Sequence, residues 1–254
     1  MRGEAPSPGA SETRVAEGGG RARLRRRVGV VIGSTLLLAA ITLALLRSPL
    51  FAADRLIVEG ANRLPSGRVL RLAGITPGEN VVWFDADEAR RNLEADPWIA
   101  DAEVHTDLPD AIAVRITERV AVGAIETHAG WEVLAADGVI LATPADRPNL
   151  PSITAVVPGD DVVKLGAGVL GALSPDLRRG VESLTVGTDG LVQLALRRGV
   201  IVTYGGADEA EEKAQALAAV VAWAEEEHAH VQQIDVSVPG APTARLVGGR
   251  VAHP

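Results

Sequence analysis

No cysteine occurs anywhere in the chain, and aromatic residues make up only 3% of it. The first absence excludes disulfides, thiol catalysis and cysteine-ligated metals. The second means that any core is built from Val, Leu, Ile and Ala. Lysine is nearly missing as well: Lys164 and Lys213 stand against 23 arginines, a bias that reflects a GC-rich genome rather than a function. Catalytic signatures are lacking too. There is no Gly-x-Ser-x-Gly, no P-loop and no dinucleotide fingerprint in a βαβ setting. Gly166-x-Gly168-x-x-Gly171 has a Gly-x-Gly-x-x-Gly spacing without the flanking βαβ unit, and reads as glycine-rich packing or looping. His228 and His230 stand two apart and diverge on a helix, whereas a metal pair is better served by a spacing of four. His105 and His128 have no neighbouring partner that suggests a base. Asp160-Asp161 reads as a turn and Glu225-Glu226-Glu227 as a solvated face. No catalytic, cofactor-binding or metal-binding residue is assigned, and no cofactor is expected.

Positive charge is also scarce, except at one end. Residues 1–27 carry seven Arg and three Glu; the rest carries 18 basic and 30 acidic residues. The net charge of −12 beyond residue 27 argues against a nucleic-acid-binding protein. The tail itself combines prolines, serines and Gly18-Gly19-Gly20 with no apolar periodicity, which predicts a disordered segment.

What the chain does contain is a long apolar run. Residues 28–46, VGVVIGSTLLLAAITLALL, hold no charge. As a helix they span about 28 Å, close to the hydrocarbon thickness of a bilayer. Five arginines between Arg21 and Arg27 abut the run, so the positive-inside rule places the N-terminus in the cytoplasm and everything after the span outside. The run exceeds a secretory h-region, and Phe51-Ala52-Ala53 has a bulky residue where cleavage wants a small one, so the prediction is an uncleaved anchor. Gly29 and Gly33 give one weak small-xxx-small spacing.

Beyond the link 47–54 the pattern is that of a small mixed domain. Residues 55–60 read as a strand and 65–72 as a short helix stopped at Gly74. Asp85 is a candidate N-cap for a helix over 86–96, with Ala86, Ala89 and Leu93 on one stripe. Residues 98–104 and 111–116 read as strands joined through Asp107-Leu108-Pro109-Asp110, giving the order β-α-α-β-β. Strands then dominate. Asp137-Gly138, Asp189-Gly190 and Arg198-Gly199 mark hairpin turns. The glycines in 162–173 weigh against a helix there. Residues 208–228 form one long helix with an acidic first turn, a Glu209–Lys213 pair and a packing stripe of Ala210, Ala214, Leu217, Val221 and Ala224. Ile234–Val238 alternates as a final strand, and the last sixteen residues read as a mobile end.

Gly60-x-x-x-Leu64-Pro65, the run AGITPGEN and the stretch LEADPWIADAEVHTDLPDAIAVRITERVAVG closely resemble the extracytoplasmic region of the FtsQ/DivIB bacterial cell-division proteins. The match is most specific over Pro97-Trp98-Ile99, Leu108-Pro109 and Ile116-Thr117-Glu118-Arg119, and the architecture agrees over essentially the whole chain. The resemblance implies an α+β chain made of a cytoplasmic disordered tail (1–27), a transmembrane helix (28–46), a POTRA domain (52–119), a β-rich domain with a long C-terminal helix and a terminal strand (120–240), and a flexible tail (241–254). It implies a non-enzymatic, single-pass scaffold of the divisome in the inner (plasma) membrane at the septum. Its partners would be division proteins of the FtsB/DivIC and FtsL type, bound largely by strand addition. Carried over by position, the resemblance puts Val236, Val238, Gly240 and Leu246 at or near that surface. Pro239 and Pro242 fall in the same segment, and proline cannot donate to a ladder, so an added strand there would be short, broken or displaced. Two other readings are a POTRA-bearing component of polypeptide transport and a membrane-anchored extracytoplasmic enzyme. The first usually accompanies a membrane β-barrel, for which the chain has too few alternating segments.

Overall fold

The computed structural model describes residues 18–157 and 159–253, with side chains from Gly29 onward. The expected disordered tail lies mostly outside the described residues. Helix α1 runs Gly18–Leu46, ten residues longer at its start than the apolar run, so residues 18–27 are helical rather than part of a structureless tail. Its stretch Gly29–Leu46 has a mean hydropathy of 2.4 and buries nothing against protein, so this one helix is long and apolar enough to cross a membrane.

The chain divides into two compact units. The smaller gathers the described residues from Gly18 to Leu56 with Pro77–Phe84 and Thr106–Ile112. Just past α1, Ser48 caps a single 3₁₀ turn, Pro49–Phe51, by accepting from the Leu50 N–H. The strip that follows is tied to residues 77–84 by backbone bonds. The Ala53 N–H donates to Glu79 O at 2.7 Å, the Gly78 N–H to Ala53 O at 3.1 Å, and the Val81 N–H to Phe51 O at 2.8 Å. Asp110 O accepts from the Asp54 and Arg55 N–H groups, and the Asp110 carboxylate pairs with Arg55 at 2.6 Å.

The larger unit takes Ile57–Thr76, Asp85–His105 and everything from Ala113 on. It holds most of a three-stranded sheet, ordered β1 (Arg55–Glu59), β3 (Ala111–Glu118), β2 (Ile99–Asp107), with helices α2 (Ser66–Leu72) and α3 (Ala86–Glu94) between β1 and β2 in sequence. The observed order is the expected β-α-α-β-β. Asp85 caps α3 as predicted, accepting from the Glu88 N–H at 2.9 Å, and Ala89 and Leu93 are its buried residues. After β1, the Glu118 carboxylate accepts from the N–H groups of Asn62, Arg63 and Leu64, while the Arg63 guanidinium stacks 3.8 Å over Trp98. Thus the Ile116–Arg119 stretch is partly a clamp on the backbone that follows β1.

Ten strands make the second sheet, in the order β13-β12-β11-β10-β9-β8-β7-β4-β5-β6. They are β4 (Ala121–Thr127), β5 (Gly130–Ala135), β6 (Ile140–Ala142), β7 (Ser152–Ala155), β8 (Val181–Val186), β9 (Val192–Leu196), β10 (Ile201–Gly205), β11 (Val231–Asp235), β12 (Thr243–Leu246) and β13 (Val251–Ala252). Helices α4 (Asp160–Ala172) and α5 (Pro175–Gly180) connect β7 to β8, which pair in parallel; α6 (Ala210–Glu226) connects β10 to β11, also parallel. One core contains Val122, Leu134 and Ile153, the α4 residues Val169 and Leu170, strand residues of β8 to β10, and Leu217 and Val220 of α6. Tyr204, the chain's only tyrosine, is buried there and donates to the Ala210 carbonyl. Burial pushes its phenol up, with help from the Glu212 charge, to about 12.

Three local readings change. The glycines expected to break 162–173 sit inside α4, and Asp160-Asp161 is its first turn rather than a loop turn. The reason is contact. A Cβ on Gly166 would stand 3.0 Å from both Ile153 Cγ2 and Leu184 Cδ2, and one on Gly171 only 2.4 Å from Ala136 Cβ. Tertiary packing outweighs the roughly 1 kcal/mol helix penalty of each glycine. Next, Lys213 does not pair with Glu209. Its ammonium is buried, donates to Gly206 O at 3.1 Å and lies 3.3 Å from Asp208. The buried stripe of α6 is Lys213, Ala214, Leu217 and Val220, one position round from the expected one. Finally, Ile234–Val238 is not the last strand, and the described residues from 241 onward include two further strands in place of a loose tail. β11 ends at Asp235, and two further strands follow it.

Candidate partner-binding edge

The sheet ends, on the C-terminal side, in a hairpin. β11 pairs antiparallel with β12 through Ile234↔Ala244 and Asp235↔Thr243, and β12 pairs antiparallel with β13 through Ala244↔Ala252 and Arg245↔Val251. The Leu246 N–H donates to Arg250 O at 2.8 Å and the Gly249 N–H to Leu246 O at 3.0 Å, closing the turn. Gly248 and Gly249 both have positive φ, +101° and +85°, a conformation that L side chains rarely adopt. The Val247 N–H reaches His230 O at 2.8 Å, so the turn is pinned to the residue before β11.

The four expected residues fall in different places. Val236 is 0% exposed and belongs to the core; its N–H donates to Thr203 O at 3.0 Å, continuing the β10 ladder beyond β11. The Val236 side chain is therefore part of the core and offers no surface to a partner. Val238 is 61% exposed in the β11–β12 connection, and Gly240 lies beside it in open surroundings. Leu246 ends β12, half-buried, opposite Val231. The edge brings Leu246 together with three residues that sequence reasoning passed over: Val247, Arg250 and Val251. A Gly-Gly pair between the short runs TARL and RVA was the available signal.

Placement of the prolines matters equally. Pro239 and Pro242 lie in the β11–β12 connection, and neither β12 nor β13 contains proline. They do not interrupt the ladder that reaches the edge. By antiparallel alternation Arg250 and Ala252 face β12, so the Val251 N–H and C=O point away from the sheet, the geometry that accepts an added strand.

Elsewhere in the same unit, Arg119 donates to Pro97 O at 3.0 Å and Ile99 O at 2.6 Å, and pairs with Asp137 at 2.8 Å. Burial pushes the Asp137 carboxyl up, but the Arg119 hydrogen bond, the Val139 N–H and the Arg119 charge outweigh it and hold it below the usual value. His228, just past α6, takes a left-handed conformation, its Nδ1 2.8 Å from Glu225 O, so that nitrogen is occupied.

Two family models match. The FtsQ-type POTRA domain covers residues 51–119, and the cell division protein FtsQ/DivIB C-terminal model covers 124–237. The chain belongs to the FtsQ/DivIB family of cell division proteins. It is similar to the cell division protein FtsQ of Mycobacterium tuberculosis, 28% identical over 85% of this chain and 71% of that one. It is also similar to FtsQ of Corynebacterium glutamicum, 25% identical over 78% of this chain and 91% of that one. Among solved structures it is similar to the major extracytoplasmic domain of the cell division protein DivIB from Geobacillus stearothermophilus, at 15% identity and a TM-score of 0.35 over 42% of this chain and 92% of that one, a likeness too low to carry any argument. The FtsQ/DivIB C-terminal match stops at residue 237, so β12 and β13 lie beyond it.

Proposed function

We propose that this member of the FtsQ/DivIB family is a non-enzymatic single-pass scaffold of the divisome that links division proteins and helps control septal wall synthesis. Its N-terminus is cytoplasmic, as the arginines that abut the apolar run favour, and its folded units are extracytoplasmic at the septum. The working domain limits are 28–46 for the span, 52–119 for the POTRA domain and 120–240 for the β-rich domain, to which β12 and β13 are added. Its partners are FtsB/DivIC-like and FtsL-like proteins, one of which adds a strand at the C-terminal edge, flanked by Val238, Gly240 and Leu246. The observation that carries this reading is the proline-free β12–β13 hairpin, whose outermost strand turns the Val251 backbone outward.

The test is co-purification of the full chain with FtsB/DivIC-like and FtsL-like proteins of the same organism. Val251→Pro removes one outward N–H without removing a buried side chain, and Val238→Asp charges an exposed neighbour. Both variants are expected to lose most of the captured partner while staying folded. Undiminished capture by both would overturn the edge, and no capture by the unaltered chain would overturn the partner assignment.

A further inference from the structure

The smaller unit carries apolar side chains that its own packing does not use. Trp83 is 57% exposed, Leu50 67% and Leu108 65%. All three belong to the segments that gather at the C-terminal end of α1. The gathering is specific. Asn80 Nδ2 donates to Leu46 O at 2.9 Å, satisfying one of the carbonyls that a helix end leaves open. The Asn80 Oδ1 accepts from the Val82 N–H at 3.0 Å, and the Trp83 N–H closes a turn on Asn80 O at 3.2 Å. Given ordinary bond lengths, the Trp83 backbone therefore lies within roughly 12 Å of the end of the apolar helix. Leu50 follows that helix by four residues, and Leu108 sits in the turn whose Asp110 holds Asp54 and Arg55.

We infer that Trp83, with Leu50 and Leu108, is a lipid-facing anchor that seats the smaller unit in the headgroup layer of the outer leaflet. This rests on reading α1 as membrane-spanning. Three observations select lipid as the occupant. The patch belongs to the unit that meets the end of a helix with no buried residue from Gly29 to Leu46. Its most exposed aromatic is tryptophan, whose apolar ring and single N–H suit the membrane–water boundary. The surrounding charges, Arg47 and Arg55 against Asp54, Glu79, Asp107 and Asp110, sum to −2, so apolar burial rather than attraction to anionic lipid supplies the contact. Asn80 then acts as the joint. By capping α1 it fixes the approach of the smaller unit to the end of the apolar helix.

The chain's four tryptophans are Trp83, Trp98, Trp131 and Trp223, and none lies in α1, which makes a clean assay available. The full chain is reconstituted in phosphatidylcholine vesicles whose acyl chains carry bromine near the headgroup. Flotation of chain with vesicles tests membrane insertion by α1 and is expected for both the unaltered protein and Trp83→Phe. Bromine quenching tests the anchor: it removes up to about a quarter of the emission of the unaltered chain, one tryptophan of four, and is abolished in Trp83→Phe. Adding phosphatidylglycerol leaves the quenching unchanged. Flotation with equal quenching in both forms, or with none in either, would overturn the anchor while leaving the span intact. Trp83 shielded from aqueous quencher but untouched by brominated lipid would assign the patch to a protein partner instead. Failure to float would overturn the membrane reading and the anchor together.

Discussion

Val236 and Val238 are two residues apart, and truncating them is expected to have opposite consequences. Val236→Ala removes two methyl groups from a side chain that is wholly inside the main core. At about 0.8 kcal/mol per buried methylene, with a further contribution from the cavity left behind, the loss is about 2 kcal/mol. In a folded region of roughly 200 residues each kcal/mol moves the thermal midpoint by about 2–4 °C, so the expected drop is about 4–8 °C. Val238 has little surface to lose, and Val238→Ala should stay within about 0.5 kcal/mol of the unaltered chain. The assay is thermal unfolding of the full chain in detergent, followed by circular dichroism, with partner capture measured below the transition. Val236→Ala should melt early yet capture partner normally at low temperature. Val238→Ala should melt normally and capture less. Equal midpoints, or a larger drop for Val238→Ala, would refute the assignment of Val236 to the core and Val238 to the surface. A charged substitution at Val236 would be a poor interface probe, because it acts by unfolding.

The lone tyrosine offers a spectroscopic check. Absorbance titration of the folded chain should show phenol ionisation near 12 instead of the ordinary 10. Because the folded state holds the proton more tightly, this group's contribution to stability is complete below pH 10 and is lost as the pH rises from 10 through 12; ionisation near 10 in the folded chain would contradict the burial of Tyr204. In α4, Gly171→Val should destabilise by about 1–3 kcal/mol in a chemical melt, since even its Cβ collides with Ala136. Gly168→Ala, whose Cβ meets nothing closer than Ala136 O at 3.8 Å, should be neutral or stabilising by up to about 1 kcal/mol. Equal effects of the two would refute close glycine packing.

Much of this architecture was legible because it rests on local chemistry. Asp85 caps α3 through a hydrogen bond three residues long, and Asp137-Gly138, Asp189-Gly190 and Arg198-Gly199 each place a glycine at positive φ in a hairpin. What escaped depends on partners distant in sequence. Gly166 and Gly171 look like helix breakers until Ile153, Leu184 and Ala136 are set against them. Lys213 looks like a surface charge until the Gly206 carbonyl and Asp208 are found waiting at the end of β10. β12 and β13 are four and two residues long, too short for alternation to register, and Pro239 and Pro242 just before them read as breakers. The pattern therefore points to Ile234–Val238 as the terminal strand, whereas the sheet continues through β12 and β13 and the Val236 side chain is interior.

The brevity of β13 bears on solubility. A ten-stranded sheet with a long bare margin would pair with a second copy of itself, edge to edge, and grow. Here the margin is closed by a strand of two residues, with Arg250 immediately before it and the double-glycine turn behind. Within β13 only Val251 turns its backbone outward, too little ladder to hold two identical chains together without further contacts. A dedicated segment can add side-chain contacts along Val238, Val247 and Leu246; a second copy of this hairpin brings only another short margin and another arginine. The same shortness that hides the strand in the sequence leaves β13 little ladder to offer an identical edge.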